Sequence, residues 1–97
     1  MTDRDYRDGA ARLVILQHLA GCPVYTSPET EVRAALAAEG LVLSGDAVRG
    51  HLAWLDEAGL ILVGGGKLLR VPTLTARGQD VATGAAAYPG VARPPPV

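Results

Sequence analysis

Basic side chains near turns and helix ends are the residues whose chemistry points to a ligand. Arg49 lies on the face of an amphipathic segment that carries no leucine, and an arginine so placed can form two hydrogen bonds with guanine. Lys67 and Arg70 follow three consecutive glycines, where a cation can reach a phosphate. Ser44 precedes the segment of Arg49, and the free backbone N–H groups at a helix start also suit a phosphate.

His51 and Arg33 complete this set of candidate residues. At Arg33 and Lys67 a structural role explains the side chain as well as ligand binding does. His51 lies on the flank of the segment that contains Arg49. Arg33 could meet a phosphate from the preceding helix, but a solvated helix face explains it as well. Lys67 alone is also typical of a solubilising turn residue. The predicted DNA-binding residues are Ser44, Arg49, His51, Lys67, Arg70 and Arg33.

Three carboxylates near these residues oppose contact with a polyanion. Asp56 and Glu57 fall in the last turn of the predicted helix, distant from its N-terminal half. Asp46 falls in the first turn, where it favours the helix start but also repels phosphate. Asp46 is therefore the main argument against DNA contact.

Catalytic and metal-binding patterns are weak, so the sequence predicts neither an enzyme nor a cofactor. The run "GGGK" lacks the spacing of a phosphate loop and falls between two strands, so a hairpin turn explains it better. His18 is expected to be solvated. A zinc site from His18 and Cys22 would need further ligands from a partner chain.

Length and charge restrict the protein to one small domain without bulk affinity for nucleic acid. The chain has 97 residues, with 9 basic and 10 acidic side chains and a net charge of −1. The N-terminal "MTDRDYRDGA" has no apolar run typical of a signal peptide, and no segment predicts a membrane helix. The single Cys22 fits a reducing cytoplasm, although an extracellular domain without disulfides fits equally. We expect a cytoplasmic protein.

Apolar spacing predicts three helices before residue 59. The first covers about 8–20, preceded by a frayed charged segment, and Val14 lies off its apolar face. This helix is equally consistent with a central core helix and with a dimer contact. Ser27 and Pro28 predict the start of the second helix, with Ser27 as its cap, and Gly40 predicts its end. The third helix covers about 45–58, with Ser44 as its cap and an apolar stripe of Val48, Leu52 and Leu55.

The remaining sequence predicts a hairpin, a weak helix and a tail. Residues 60–63 and 67–71 read as strands around the glycine turn, and the last helix lies within "ARGQDVATGAAA". Pro72 predicts a strand end or an edge position, and "VYT" at 24–26 predicts a minor strand. Trp54 is interpreted as a core plug against the hairpin or the last helix, with a partner contact as the alternative. The domain boundaries are 1–87 for the folded domain and 88–97 for a proline-rich extended tail.

This order of elements predicts an α+β, mainly α fold: a winged helix-turn-helix, with a three-helix core, a C-terminal β-hairpin wing and a final helix. Residues 48–82, with "LDEAGLI" and "LTARG", resemble winged-helix regulators of the ArsR and MarR type. The segments "RLVILQHLA", "LAWLDEAGL", "TLTARGQDVATG" and "PGVARPPP" are similar to small winged-helix proteins of Mu-like phages and prophages. The second resemblance implies a phage or prophage origin. Many ArsR-type recognition helices carry additional Lys or Arg where this chain has Gly50, Ala53 and Asp56.

Two functions from different classes follow. The first is binding of double-stranded DNA by a transcriptional regulator of a phage or prophage, in the cytoplasm of its bacterial host. A homodimer formed by the first and last helices would place two recognition helices in successive major grooves. The alternative is a winged-helix adaptor that binds a phage or host protein and no DNA, for which the near-neutral charge is natural.

Overall fold

The computed structural model describes residues 2–96 and contains four α-helices and one β-hairpin. The helices are α1 (Asp3–Ala20), α2 (Glu29–Ala38), α3 (Gly45–Glu57) and α4 (Ala76–Thr83), and the strands are β1 (Ile61–Gly65) and β2 (Arg70–Leu74). A short 3-10 helix, Pro23–Tyr25, connects α1 to α2. The fold is therefore α+β and mainly helical, with an element order compatible with a winged helix.

Helix α1 is the central element and is longer than the sequence predicted. The Thr2 hydroxyl accepts a hydrogen bond from the backbone of Asp5, and the Asp5 carboxylate accepts one from the backbone of Thr2. This capping box stabilises the first turn, so the expectation of a frayed segment is wrong for residues 3–8. Helix α1 packs against α2, α3, α4 and β2, and Ile15, Leu16 and Leu19 are fully buried, which supports the core-helix interpretation.

Helix α2 begins two residues after the predicted cap. Pro28 occupies the N-cap position and Glu29 is the first helical residue. Ser27 is buried instead: its hydroxyl donates to Glu31 Oε2 at 3.2 Å and lies 2.9 Å from Nε2 of His18. Ser27 therefore joins α1 to α2 rather than capping a helix, and His18 is half-buried rather than solvated.

Helix α3 follows the prediction closely. The Ser44 hydroxyl accepts a hydrogen bond from the Ala47 backbone at 3.1 Å, which confirms Ser44 as the cap. Val48, Leu52 and Leu55 are buried and form the inner face. The chain then reverses at Gly59, whose φ of +77° is readily adopted only by glycine.

The two strands of the hairpin are antiparallel. Gly64 and Gly65, which were predicted to lie in the turn, belong to strand β1, and the turn follows them. Strand β1 extends through Gly65, which pairs with Arg70, and a hydrogen bond of 3.0 Å from the Gly66 amide to the Leu69 carbonyl closes the turn. Gly65 has a φ of +83°, and a Cβ there would collide with the Leu69 carbonyl, so this glycine fixes the turn.

The outer edge of strand β2 is hydrogen-bonded to the residues that precede α2. Pro72 lies inside β2, and its carbonyl accepts a hydrogen bond from the Ser27 amide at 3.3 Å, consistent with an edge position. The predicted minor strand at 24–26 is reduced to one isolated bridge between Thr26 and Thr73, because Val24 and Tyr25 belong to the 3-10 helix.

Helix α4 packs against α1 and, at a glycine, comes close to Leu60, the residue before β1. Thr75 caps the helix, which ends at Gly84 and is shorter than the predicted segment. A Cβ at Gly78 would collide with the carbonyl of Leu60. The absence of a side chain at Gly78 therefore allows the close approach of α4 to the hairpin.

Residues 88–92 form no helix or strand, as predicted, but they pack against α1 and α3. Arg12 Nη1 donates to the Gly90 carbonyl at 2.9 Å, and the Ala92 amide donates to the Gly9 carbonyl at 3.1 Å. Val91 is buried with the core side chains. The proline-rich segment thus contributes core contacts that its sequence pattern did not predict.

Trp54 lies under this segment rather than under the hairpin or α4. The Tyr88 ring meets Trp54 edge to face at 5.7 Å, and the Arg12 guanidinium lies 3.9 Å from the Trp54 ring centroid. A Cβ at Gly90 would come within 2.7 Å of the indole. Trp54 is a packing residue, as interpreted, but with a different partner.

Candidate nucleic-acid interface

Four of the predicted basic residues lie along one surface formed by α2, α3 and the hairpin. Arg33 and Arg49 line a groove of about 160 Å³ between α2 and α3. Arg49 Nη2 donates to the Leu68 carbonyl at 3.4 Å, and Arg70 Nη1 donates to the Lys67 carbonyl at 3.1 Å. We call these four basic residues the α3–hairpin surface.

Arg49 is held on this surface by an ion pair with Glu29. Nε of Arg49 donates to Glu29 Oε2 at 2.9 Å, and Nη2 donates to Oε1 at 2.7 Å. Mainly through the hydrogen bonds from Arg49, the pKa of Glu29 falls from 4.5 to about 2, so the carboxylate is charged at neutral pH. Two donor nitrogens of Arg49 are thus occupied, while its Nη1 makes no hydrogen bond within residues 2–96. A pair separated by 20 positions has no local signal in the sequence.

Arg33 and Ser44 serve the connector between α2 and α3. Arg33 Nε donates to the Leu43 carbonyl at 2.8 Å, and its Nη1 lies beside Gly45. The Ser44 hydroxyl is engaged by the Ala47 amide. Both residues therefore order the start of α3, and a phosphate there would meet backbone N–H groups with the Arg33 guanidinium nearby.

His51 does not reach this surface, which corrects its expected position on an accessible flank. It is 9% exposed, and its Nε2 lies 3.6 Å from Asp8 Oδ1 on α1. Burial, assisted by the charge of Arg12, lowers the pKa of His51, whereas Asp8 acts in the opposite direction. We therefore omit His51 from the candidate interface.

The hairpin and the first turn of α4 together form the most basic part of the chain. Residues 58–79 contain Lys67, Arg70 and Arg77 and no carboxylate, whereas the whole chain has a net charge of −1. Lys67 is exposed at the turn, and Arg70 is half-buried beside it. Leu68 between them is 95% exposed.

The outer face of α3 carries small residues with little or no side chain. Ala47, Gly50 and Ala53 are exposed along it. A Cβ at Gly50 would meet nothing within 4 Å, although glycine inside a helix costs about 1 kcal/mol relative to alanine. The folded chain therefore gives no packing reason for this glycine. Asp46 at one end of the face and Glu57 at the other are exposed, as the helical pattern predicted.

The polar contacts at His18 link α1 to α2. Ser27 lies between the His18 imidazole and the Glu31 carboxylate. Cys22 Sγ lies 3.6 Å from His18 Nε2. Within residues 2–96 no three His, Cys, Asp or Glu side chains are grouped to hold a metal ion. No helix in that range is long and apolar enough to cross a membrane.

The fold and this surface define a small α+β domain compatible with a winged helix. The chain is 45% identical over 85 residues to a protein of Escherichia phage Mu named "Uncharacterized protein gp26", and the match covers 88% of each chain. The protein belongs to the family of this phage Mu protein. No protein-family model matches the sequence, and no solved structure matches the chain.

Proposed function

We propose that the protein binds double-stranded DNA through the α3–hairpin surface and acts as a transcriptional regulator of a phage or prophage in the bacterial cytoplasm. The observation that carries this proposal is the gathering of Arg33, Arg49, Lys67 and Arg70 from three elements along one surface. They lie where the order of elements predicts a helix-turn-helix followed by a wing, and clustered cations at such a position are typical of a nucleic-acid-binding surface.

In this proposal α3 enters the major groove with the face that carries its small residues. Ala47, Gly50 and Ala53 allow the helix backbone to approach the bases. Glu29 holds the side of the Arg49 guanidinium that carries Nε, which leaves Nη1 free to reach a base edge or a phosphate. Lys67 and Arg70 contact the DNA backbone from the hairpin.

A homodimer would allow two α3 helices to reach successive major grooves. Helices α1 and α4 pack against each other within the chain, so their outer faces would form the contact. Light scattering of the purified protein is expected to give the mass of a dimer. A monomer at high concentration would remove this part of the proposal while leaving DNA binding by one domain.

Binding to a fluorescent duplex of mixed sequence, measured by anisotropy at low salt, tests the proposal. We expect the wild-type protein to bind and the variants Arg49→Ala and Lys67→Ala to bind more weakly. Arg93→Ala is the matched control, because Arg93 is an exposed cation outside the α3–hairpin surface. Equal affinity of all four proteins would contradict the assigned surface, and no binding by any of them would contradict the function.

A protein-binding adaptor is the second candidate, and the uncharged strip on α3 favours it. Ala47, Gly50 and Ala53 form a strip on which another helix could pack closely, and Glu29 neutralises the charge of Arg49 nearby. The variant Gly50→Arg separates the two functions. It would block a packed helix, whereas an added cation would strengthen or preserve contact with DNA.

A further inference from the structure

The turn of the hairpin presents one leucine to solvent between two cations. Leu68 is 95% exposed, the largest exposed fraction among the large apolar side chains of residues 2–96. Lys67 precedes it directly and Arg70 follows two positions later. Leu69 beside it is 42% exposed, so the apolar surface at this tip is narrow and centred on Leu68.

The backbone of Leu68 is fixed relative to α3. Its carbonyl accepts a hydrogen bond from Arg49 Nη2 at 3.4 Å, and the carboxylate of Glu29 holds the same guanidinium. The amide of Gly66 and the carbonyl of Leu69 close the turn around it. The backbone that carries Leu68 is therefore held beside α3, while its side chain extends into solvent.

The rim beside Leu68 is bare, and the charged carboxylate of Glu29, which lies near Arg49 and Arg70, is paired with Arg49. Gly64 and Gly66 lie outside the positive-φ region, and a Cβ at Gly66 would meet nothing within 4 Å. At Gly64 a Cβ would make only an ordinary contact of 3.5 Å with the Val71 carbonyl. The fold thus requires a glycine at Gly65 but not at its two neighbours, whose missing side chains leave room for a polymer backbone beside Lys67.

We propose that Leu68 is a wedge that inserts between two base pairs from the minor groove of double-stranded DNA, while Lys67 and Arg70 bind the flanking phosphates. Apolar side chains used in this way partly unstack one base step and bend the duplex by roughly 20–90°. Pyrimidine–purine steps such as TA unstack most readily and are the preferred target. This proposal rests on the proposed function and adds a binding mode to it.

The charge of the tip and the small apolar area favour DNA over a protein partner. A specific protein interface buries roughly 800 Å² on each side, far more than one leucine provides. A wedge in DNA needs only one apolar side chain between cations, because electrostatic attraction to phosphates supplies the affinity.

The test measures bending and affinity separately, on a duplex of about 30 base pairs with a central TA step and a donor and an acceptor dye at its ends. We expect the wild-type protein to raise energy transfer between the dyes on binding. Leu68→Ala is expected to keep most of the affinity, within about tenfold, and to lose the rise in energy transfer. Leu62→Ala, which truncates a leucine that is 63% exposed on β1, is the control and should retain both properties.

The outcomes separate the wedge from DNA binding itself. If the wild-type protein binds the duplex without a change in energy transfer, or if Leu68→Ala bends it equally, the wedge is wrong and DNA binding stands. Absence of duplex binding at low salt overturns both. Leu68-dependent binding to vesicles of phosphatidylglycerol, without duplex binding, would assign the tip to a lipid surface and also overturn the proposal. Unfolding curves of the variants should match the wild type, because both leucines are exposed.

Discussion

At the scale of single residues, the chemistry near α3 depends on which charges are already paired. The sequence correctly placed Arg49 on the third helix and Lys67 at the hairpin turn. It could not show that Glu29 forms an ion pair with Arg49. It placed His51 on an accessible flank, because the helical periodicity of α3 does not reveal that α1 packs there and brings Asp8 against His51. Local patterns specify side-chain direction, whereas pairing depends on tertiary contacts.

The buried His51 makes a prediction about pH. Because the folded state lowers its pKa, the unfolded chain binds a proton more readily below the ordinary value of about 6.5. The free energy of unfolding should therefore fall as the pH decreases from 7.5 through this value towards the lowered pKa of the folded state. Urea unfolding of the wild type and of His51→Gln measures this dependence, and the variant should lose the part that His51 contributes. The same pH dependence in both proteins would show that His51 is not the responsible group.

Two glycines predict stability changes of opposite sign. Gly50→Ala should raise the free energy of unfolding by about 0.5–1 kcal/mol, because Gly50 is a helical residue with open space around it. Gly78→Ala should lower it by about 1–3 kcal/mol, because its Cβ would collide with the Leu60 carbonyl. Thermal or urea unfolding of both variants measures the pair. Destabilisation by Gly50→Ala would mean that its environment differs from the one described.

At the scale of elements, the helices and the hairpin were largely predictable, and the chain ends were not. The Ser44 cap, the buried stripe of α3 and the turn after Gly59 all follow from local sequence rules, and the structure confirms them. The start of α1 was missed because its capping box uses Asp5 where Glu or Gln is more usual. The docking of residues 88–92 was missed because it uses hydrogen bonds from the Ala92 amide to the Gly9 carbonyl and from the Arg12 side chain to the Gly90 carbonyl, which leave no apolar periodicity.

Removal of the docked segment should expose the single tryptophan. A chain ending at residue 87 lacks Tyr88, Gly90 and Val91, which cover Trp54 and part of α1. We expect the emission of Trp54 to shift to longer wavelength and the protein to unfold at lower denaturant concentration. A chain ending at residue 92 is the control, because it keeps these contacts. Identical emission of both truncated proteins would contradict the packing described for this segment.

At the scale of the whole molecule, the net charge of −1 hides an uneven distribution. Residues 58–79, which comprise the hairpin and the start of α4, carry three cations without a carboxylate, whereas α3 carries three carboxylates and one arginine. Bulk charge therefore does not decide whether the protein binds nucleic acid. The arrangement of charge around α3 and the hairpin is the relevant property, and it could be judged only after folding placed Arg33 and Arg49 in one groove and Arg49 against the hairpin.

The salt dependence of duplex binding tests the central claim most directly. If the α3–hairpin surface binds phosphates, the logarithm of the association constant should fall linearly with the logarithm of the salt concentration, with a slope of about −0.9 for each phosphate neutralised. Three or four basic contacts predict a slope of about −3 for the wild type, reduced by about one in Lys67→Ala. An affinity that does not depend on salt, or no binding at low salt, would contradict the account.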